Sequence, residues 1–460
     1  MGAPSKRRNA RYTPLPVDGP LPIDMVRAVP AIRRDPLAYL GRVTARYGDL
    51  VAFPLPRTPV LLVNDPGAAL RVLQDNHRNY DKATVQYRSL AMVTGAGLLT
   101  SDGEAWLRRR RQAQPGFHPA GLPSVAVAAV AAAHRMRAAW DAMPDGTPLD
   151  ADAAAMHATL RVVGQVLFDV DVDTDLAGAA EAVIAAVAKA LHLVVARARS
   201  PLAVGLLSSL PTPSRRRMTR ANATLDAVCY DLIRRRRQVG EHGDDVFGLL
   251  LRAGLSDAEL RDELVTLVIA GHETVASALT WTLHLLAGAA AVQDRLHEEL
   301  DSVLGRRDPA WADLPALPYT RAVVDEALRL YPPAWVLTRR ALDRDTLAGV
   351  EIPAGTLVLV SPWLLHRRAA AWPDPERFEP ARFLGRGTGS LARRAGYLPF
   401  GAGPRLCSGR DLALVETVCI LATLLRDRCI VVPPGHGEPR VDALVTLRPR
   451  GGLPLLLNHR

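Results

Sequence analysis

The ten residues Phe400-Gly401-Ala402-Gly403-Pro404-Arg405-Leu406-Cys407-Ser408-Gly409 constrain this chain more than any other stretch. A cysteine that holds a metal must be deprotonated, which requires nearby positive charge, peptide N–H groups or a helix N-terminus. All three are written here. Arg405 stands two positions before the sulfur, and Gly401, Gly403 and Gly409 permit close approach of the backbone to a flat ligand. The apolar Leu412-Ala413-Leu414 pattern predicts a helix starting just after Cys407. Together these describe a thiolate ligand to iron. Cys229, Cys419 and Cys429 lie in apolar or helical stretches without zinc-like spacing, and read as structural.

A second constraint is the apolar run from Leu264 to Val292, interrupted by His272 and Glu273. A bilayer would penalise both residues by a few kcal/mol each, so the run reads as a buried helix of a large globular domain. Ser256-Asp257-Ala258-Glu259 has the form of a capping box, which starts that helix and lets it run past Thr280. Within it, Ala270-Gly271-His272-Glu273-Thr274 places a glycine and a carboxylate where each is costly. The expectation is that Gly271 opens space for a small ligand while Thr274 and Glu273 relay protons into it. The competing arrangement has Thr274 bonded back to its own helix and Glu273 paired with an arginine.

No linker, repeat or low-complexity tract divides the 460 residues, so a single large domain is expected over 36–460, preceded by a basic tail over 1–35. Met1 to Arg11 is polar and basic, and predicts neither signal peptide nor membrane anchor; the protein is expected in the cytoplasm. The formal charge of +10 comes almost wholly from arginine, since the lysines are only Lys6, Lys82 and Lys189. Arginine and alanine richness reads as the base-composition bias of a GC-rich bacterial genome. The runs Arg108 to Arg111, Arg215 to Arg217 and Arg234 to Arg237 read as solvated helix faces without interleaved aromatics, which argues against nucleic acid. A basic patch suits an acidic electron carrier.

Patterning predicts a mainly α fold with a small β region. Leu50–Phe53 with Val60–Val63 reads as one hairpin, Val350–Ile352 with Leu357–Val360 as another, and a last strand pair flanks Gly451-Gly452. Alanine-rich helices are expected around Val125–Ala139, Ala179–Ala196 and Thr224–Arg237.

The cysteine string resembles the haem-binding loop of the cytochrome P450 family, and three further motifs follow the family's order. Ala270-Gly271-His272-Glu273-Thr274 resembles its oxygen-activating segment, although Val275 stands where a second hydroxyl residue is common. Glu326-Ala327-Leu328-Arg329 resembles its Glu-x-x-Arg pair, which Arg382, with Arg377 as competitor, would complete from the segment Trp372 to Phe383. Trp106-Leu107-Arg108-Arg109-Arg110 resembles its Trp-x-x-x-Arg helix, with Trp106 and Arg110 on one helical face.

The resemblance implies haem b, iron protoporphyrin IX, as cofactor. Cys407 would hold the metal; Trp106, Arg110, Arg339 and Arg405 would face the propionates, and Phe400, Gly401, Gly409, Ala270 and Gly271 would contact the ring. Arg108, Arg109, Arg111 and Arg340 receive no role. It also implies a monooxygenase that takes O2 and receives electrons from a ferredoxin and its NAD(P)H-dependent reductase, working as a monomer. The expected substrate pocket comprises Val85 to Gly97, Leu267, Ile269, Ala270, Ala334, Trp335, Val336, Thr446 and Leu447, with 197–220 as a mobile lid. Its apolar lining points to a lipophilic substrate, a terpenoid first and a fatty acid or polyketide next. A haem-thiolate peroxygenase or isomerase would share the loop without needing Thr274 and Glu273. A haem carrier or sensor would not explain them.

Overall fold

The computed structural model describes residues 15–55, 58–144, 146–176, 179–198, 213–240, 243–385 and 388–460. The helices of eight residues or more begin with α1 (Pro22–Arg34) and α2 (Pro36–Tyr47), so that residues 22–34 of the expected tail form a helix. Then come α3 (Val85–Thr94), α4 (Gly103–Ala113), α5 (Leu122–Asp141), α6 (Ala151–Phe168), α7 (Ala180–Ala198) and α8 (Pro213–Val239). The three alanine-rich stretches are α5, α7 and α8, each somewhat longer than periodicity suggests. Of the expected lid, 199–212 lies outside the described residues, whereas 213–220 is the first part of α8.

The central helix starts as α9 (Asp257–Val268), passes through a π turn at Ile269–Glu273 and continues as α10 (Thr274–Ala287). Its start is set by the predicted cap: Glu259 N donates to Ser256 Oγ at 3.3 Å, and Ser256 N donates to Glu259 Oε2 at 3.1 Å. By length and composition Asp257–Ala287 could cross a bilayer, yet 78% of its most apolar window is buried in the fold. Around it stand α11 (Ala290–Val303), α12 (Pro318–Leu330), α13 (Thr388–Ala395) and α14 (Arg410–Leu425). Ala126, Ala129 and Ala133 on α5 are buried where it packs along α14, because methyl side chains let two helix axes approach closely. From Leu414 to Leu425 every residue of α14 is buried, which fixes the helix that follows the cysteine loop.

The β region is built on a five-stranded sheet in the order β1 (Leu50–Phe53), β2 (Val60–Val63), β8 (Leu357–Val360), β5 (Leu337–Ala341) and β3 (Tyr80–Asp81). All four residues of β2 are buried, Val60 and Leu62 in a cluster on one face and Leu61 and Val63 in a cluster on the other. The first predicted hairpin, β1 with β2, is present.

The second is not. β7 (Val350–Ile352) pairs back with β6 (Asp345–Leu347), while β8 joins β2 in parallel and β5 antiparallel. The tight turn sits at Ala348-Gly349, both at positive φ (45° and 83°), the geometry that two-residue hairpins favour. The wholly apolar Leu-Val-Leu-Val of β8 goes instead to the buried centre of the larger sheet. The strands flanking Gly451-Gly452 also part company. β11 (Leu447–Pro449) pairs with β10 (Val441–Ala443), and β12 (Pro454–His459) pairs with β4 (Leu149–Asp150) and β9 (Arg428–Val431). Gly451 and Gly452, at φ 90° and 89°, carry the chain between sheets, and a Cβ on Gly452 would sit 2.4 Å from Asp150 Oδ2.

Candidate active site

The cysteine loop leaves the β region at Leu398 and Ala402, both in the cluster under the five-stranded sheet, and ends at the N-terminus of α14. Within it Leu406 N donates to Gly403 O at 2.9 Å and Cys407 N to Phe400 O at 3.1 Å. Gly403 has φ +67°, and an added Cβ would lie 2.3 Å from Leu73 O, so only glycine fits. Gly409 requires no such freedom: its φ is −90°, and a Cβ there would meet Phe117 at an ordinary 3.7 Å. Cys407 itself is exposed. The protein mass around it pushes its thiol up, against the Gly409 N–H and the nearby Arg110 and Arg410 guanidiniums, which favour the thiolate. Among the described residues no group of three or more His, Cys, Asp or Glu could hold a metal ion. A metal at Cys407 must therefore bring most of its own ligands, as a porphyrin does.

Beside the thiol the charges do not balance. Arg110 donates to Ser408 Oγ, one residue from the sulfur. Arg405 pairs with Asp102, donates to Ser101 O at 3.0 Å and lies 3.7 Å above the Trp106 ring. Arg339 donates to Tyr87 OH at 3.1 Å. Burial lowers Arg405 to about 10, an effect that Asp102 opposes and the repulsion of Arg339 and Arg110 reinforces. Lys82 is held well below its ordinary value by burial and then by Arg339 and Arg405. Arg405 and Lys82 thus share one carboxylate, Asp102, whose Oδ2 also accepts from Lys82 N, while Arg339 presses on both cations and Arg110 stands by the sulfur with Ser408 as its hydrogen-bond partner. A dicarboxylate such as a haem fits this deficit. Lys82 and Tyr87 are additions to the expected set; the signal available was a lysine surviving in a chain that otherwise uses arginine.

Three of the four arginines without an assigned role do other work. Arg109, buried, bonds Glu263 at 2.8 Å and ties α4 to α9, while Arg108 and Arg340 pair with Glu259 and Asp81.

On the opposing helix, Ala270 is exposed and Thr274 half-buried, and they lie one turn apart. Thr274 Oγ1 donates to Ala270 O at 2.6 Å. Glu273 turns elsewhere. Its Oε1 accepts from Thr446 Oγ1 at 2.8 Å and lies 3.9 Å from Arg448, leaving Oε2 without a partner. The competing arrangement of these two residues is the one present. The space beside Gly271 belongs to the protein as well: a Cβ there would meet Val163 of α6 at 3.0 Å, so the glycine admits a helix and opens no ligand space.

Several expected pocket residues are committed to packing. Leu267 and Ile269 are buried in the helical core, because the face carrying Ala270 and Thr274 points away from it. Trp335 packs in two clusters and donates Nε1–H to Leu444 O at 2.9 Å. Thr446 is buried on Glu273 and Leu447 in a small cluster, whereas Ala270 is exposed, Ala334, Trp335 and Val336 are half-buried, and the segment Val85 to Gly97 keeps Val85, Gln86, Ala91 and Met92 half-buried.

Glu326 and Arg329 on α12 are fully buried, joined by two bonds of 2.7 Å. Arg329 also donates to the carbonyls of His366 (2.9 Å), Pro375 (2.6 Å) and Arg377 (3.1 Å). The third member of the network is Arg382, whose Nε lies 3.3 Å from Glu326 Oε1. Arg377 turns its guanidinium outward to Glu379 and contributes only its carbonyl.

His366 links this network to the cysteine loop, a connection that the motifs do not reveal. Leu398 N–H donates to its Nε2 at 2.8 Å, so the proton sits on Nδ1 and goes to Arg329 O at 3.1 Å. Burial, and then the Arg329 charge, push the ring down to about 3. Unfolded, it titrates near 6.5. Below that pH the unfolded chain binds a proton that the native ring refuses, so this share of stability is complete above 6.5 and is lost as pH falls towards 3. The slope is about 1.4 kcal/mol per pH unit. The unfolding free-energy difference between the protein and a His366→Gln variant should therefore shrink by that slope from about pH 6.5 to 5. Urea titrations at each pH measure it, and a constant difference would refute the neutral, buried imidazole.

A mainly helical domain with a cysteine loop, a buried Glu-x-x-Arg network and a crowd of cations beside an accessible thiol is the architecture of a haem-thiolate protein. The family model "Cytochrome P450" matches residues 17–455, and the chain belongs to that family. It is a cytochrome P450 monooxygenase, a haem-thiolate iron enzyme that uses O2 and external electrons on a lipophilic substrate. Cyclooctat-9-en-7-ol 5-monooxygenase of Streptomyces melanosporofaciens is 39% identical over 402 residues, which cover 86% of this chain and 85% of that one. Pentalenene oxygenase of Streptomyces avermitilis is 34% identical over 420 residues, covering 90% and 91%. The crystal structure of CYP175A1 from a Thermus thermophilus strain superimposes with a TM-score of 0.77 at 32% identity, over 96% of this chain and 100% of that one.

Proposed function

We propose that this chain is a cytoplasmic, monomeric bacterial enzyme that inserts one oxygen atom of O2 into a terpenoid, with haem b held through Cys407 and electrons delivered by a ferredoxin and its NAD(P)H-dependent reductase. The observation that carries the reading is the gathering of Lys82, Arg110, Arg339 and Arg405, with Asp102 answering only Lys82 and Arg405, next to an accessible, isolated cysteine. When bound through a thiolate, haem supplies an electron-rich iron that favours O–O cleavage.

The protein's own residues do the rest. Trp106, Arg110, Arg339 and Arg405, joined by Lys82, hold the propionates, and Phe400, Gly401, Gly409 and the Ala270-Gly271 segment contact the ring. Thr274 keeps its proton on Ala270 O, a rotation about χ1 away from presenting it to the site. Glu273 spends Oε1 on Thr446, which holds the β10–β11 hairpin against the helix, and its partnerless Oε2 is the oxygen left for the relay. Glu326, Arg329 and Arg382 fix the geometry behind the loop. The domain is taken as 36–460, and 15–35 packs onto it through α1 and the buried Leu15.

The apolar surface of Ala270, Ala334 and Val336 supports a lipophilic substrate, and the names of the two Streptomyces relatives support a terpenoid over a fatty acid or polyketide. Thr274→Ala tests the oxygen-activation role. With ferredoxin and reductase supplied, NADPH consumption should continue while product formed per NADPH falls about tenfold or more. Unchanged coupling would favour the peroxygenase or isomerase reading. A thiolate-type spectrum with no turnover across a terpene panel would favour a haem sensor.

A further inference from the structure

A second cleft, of about 660 Å3, opens between α2, the turn Pro362–Leu365, Tyr331 at the end of α12 and the β10–β11 hairpin. Small-molecule sites span roughly 300–1,000 Å3. Neither Cys407, Thr274 nor any cation around Asp102 lines it. One wall is aromatic: the Tyr331 and Trp363 rings lie 5.9 Å apart, and the Arg367 guanidinium, paired with Glu376 at 3.1 Å, covers Trp363 at 3.4 Å. The rim is cationic. Arg368 is satisfied by Asp49, and Arg450 lies 3.6 Å from Asp442. Arg34 and Arg440 are exposed, and their guanidiniums have no ion-pair or hydrogen-bond partner among the described residues. Asp35, the remaining acid, is engaged in capping Ala38 N at 2.9 Å. In the same lining, buried Asn64 Oδ1 has no donor. The chain's own amino-terminal residues include Lys6, Arg7, Arg8 and Arg11, the wrong sign to neutralise that rim.

We propose that this cleft is a binding site for a small amphipathic carboxylate, its apolar body against Trp363 and Tyr331 and its carboxylate on Arg34 and Arg440, and that its occupancy is coupled to the substrate site. Guanidinium forks match a carboxylate in geometry as well as charge, and the apolar contact comes from Leu37, Leu364 and Val441 with the parts of the Trp363 and Tyr331 rings that Arg367 and Trp281 leave uncovered.

The coupling has a physical route. Arg440, Val441 and Arg450 bracket the β10–β11 hairpin, and the same hairpin presents Thr446 to Glu273 at 2.8 Å. Its Leu447 carbonyl accepts from Ser277 Oγ at 2.6 Å and from Trp281 Nε1 at 2.9 Å, both on α10. Trp281 in turn stacks on Tyr331 with centroids 4.1 Å apart and planes 4° from parallel. A ligand that moves the hairpin or Tyr331 therefore moves the partners of the residue next to Thr274. Because the coupling is reciprocal, a substrate-site ligand must change the affinity of the cleft by the same factor. The coupling half rests on the proposed function; the binding half does not.

The test is calorimetric titration of the full-length holoprotein with 2-naphthoate, using 2-naphthalenemethanol as the neutral counterpart. Naphthoate is expected to bind, to weaken with added salt, and to lose about tenfold in affinity on Arg34→Gln or Arg440→Gln, with little change for the alcohol. Both variants should keep the carbon monoxide spectrum of the parent, which separates a lost site from a lost fold. Saturating naphthoate should shift the Kd of a lipophile read by its Soret change, and the variants should abolish that shift. No naphthoate binding at millimolar concentration, binding indifferent to both substitutions, or competitive displacement by the Soret-shifting lipophile would each overturn the site. Binding without any shift in the lipophile's Kd would overturn the coupling. Absence of a thiolate-type spectrum would sink the haem reading while leaving the naphthoate titration meaningful.

Discussion

Replacing Cys407 by histidine is expected to bring turnover to background and to remove the strongly red-shifted Soret band of the reduced carbon monoxide complex. That band requires a thiolate on the iron, and no other sulfur in the chain can take the place of Cys407. Burial pushes the Cys229 and Cys419 thiols up to about 12, so they stay protonated, and Cys429 lies on β9, remote in the fold from the loop. Burial pushes the Cys407 thiol up as well, but there the Gly409 N–H and the Arg110 and Arg410 guanidiniums work against that push, and the residue is exposed to an incoming ligand. An imidazole at this position is a neutral ligand and cannot give the same electron donation. Because the cations around Asp102 remain in place, the variant should still take up haem, and pyridine-haemochrome content measures that separately from ligation. A variant with normal haem content and an unshifted parental band would show that the iron is held elsewhere.

Local signals were legible in the sequence where their partners are a few residues away. The Ser256 cap, the Glu326–Arg329 pair and the glycines of the cysteine loop each carry their reason within one or two turns of chain. Arg382 is chosen from a distance, by its place in a motif, and its guanidinium does reach Glu326. What the sequence concealed depends on partners far along the chain. β7 and β8 are separated by a turn-like Pro353-Ala354-Gly355, yet the apolar content of β8 makes it a central strand, and only the three-dimensional neighbourhood of β2 decides that. Gly271 reads as ligand space because Val163, more than a hundred positions earlier, is invisible to local reasoning. The π turn at Ile269–Glu273 breaks the 3.6-residue phase, so the face that carries Ala270 and Thr274 cannot be extrapolated from the apolar pattern of α9. Leu267 and Ile269 fall into the expected pocket for that reason. Lys82 is hidden differently: burial and the charges of Arg339 and Arg405 make its cation costly, only Asp102 favours it, and Asp102, Arg339 and Arg405 all lie far from it along the chain.

Arg329→Ala is expected to be the most destabilising single substitution considered, at about 3–5 kcal/mol, which is a large part of the roughly 5–15 kcal/mol that holds a domain folded. It would strand the Glu326 carboxylate in a fully buried position and strip the carbonyls of His366, Pro375 and Arg377 of their donor. Glu326→Ala should cost a similar amount, leaving Arg329, Arg382 and the Glu379 N–H without their shared acceptor. The more discriminating variant is the double replacement of Glu326 and Arg329 by methionine. For an isolated buried ion pair, an apolar replacement of similar volume is often neutral or stabilising. Here the outcome should differ, because Arg329 spends its remaining donors on backbone of the segment that carries His366 and, through the His366 ring, holds Leu398 at the head of the cysteine loop. The double variant should therefore stay destabilised and lose haem more readily than the parent, even though no charge is left uncompensated between the two positions. Urea unfolding followed by circular dichroism reads the first effect, and transfer of haem to apomyoglobin reads the second. Recovery of parental stability in the double variant would mean that the pair serves only itself, and that the cysteine loop is positioned without it.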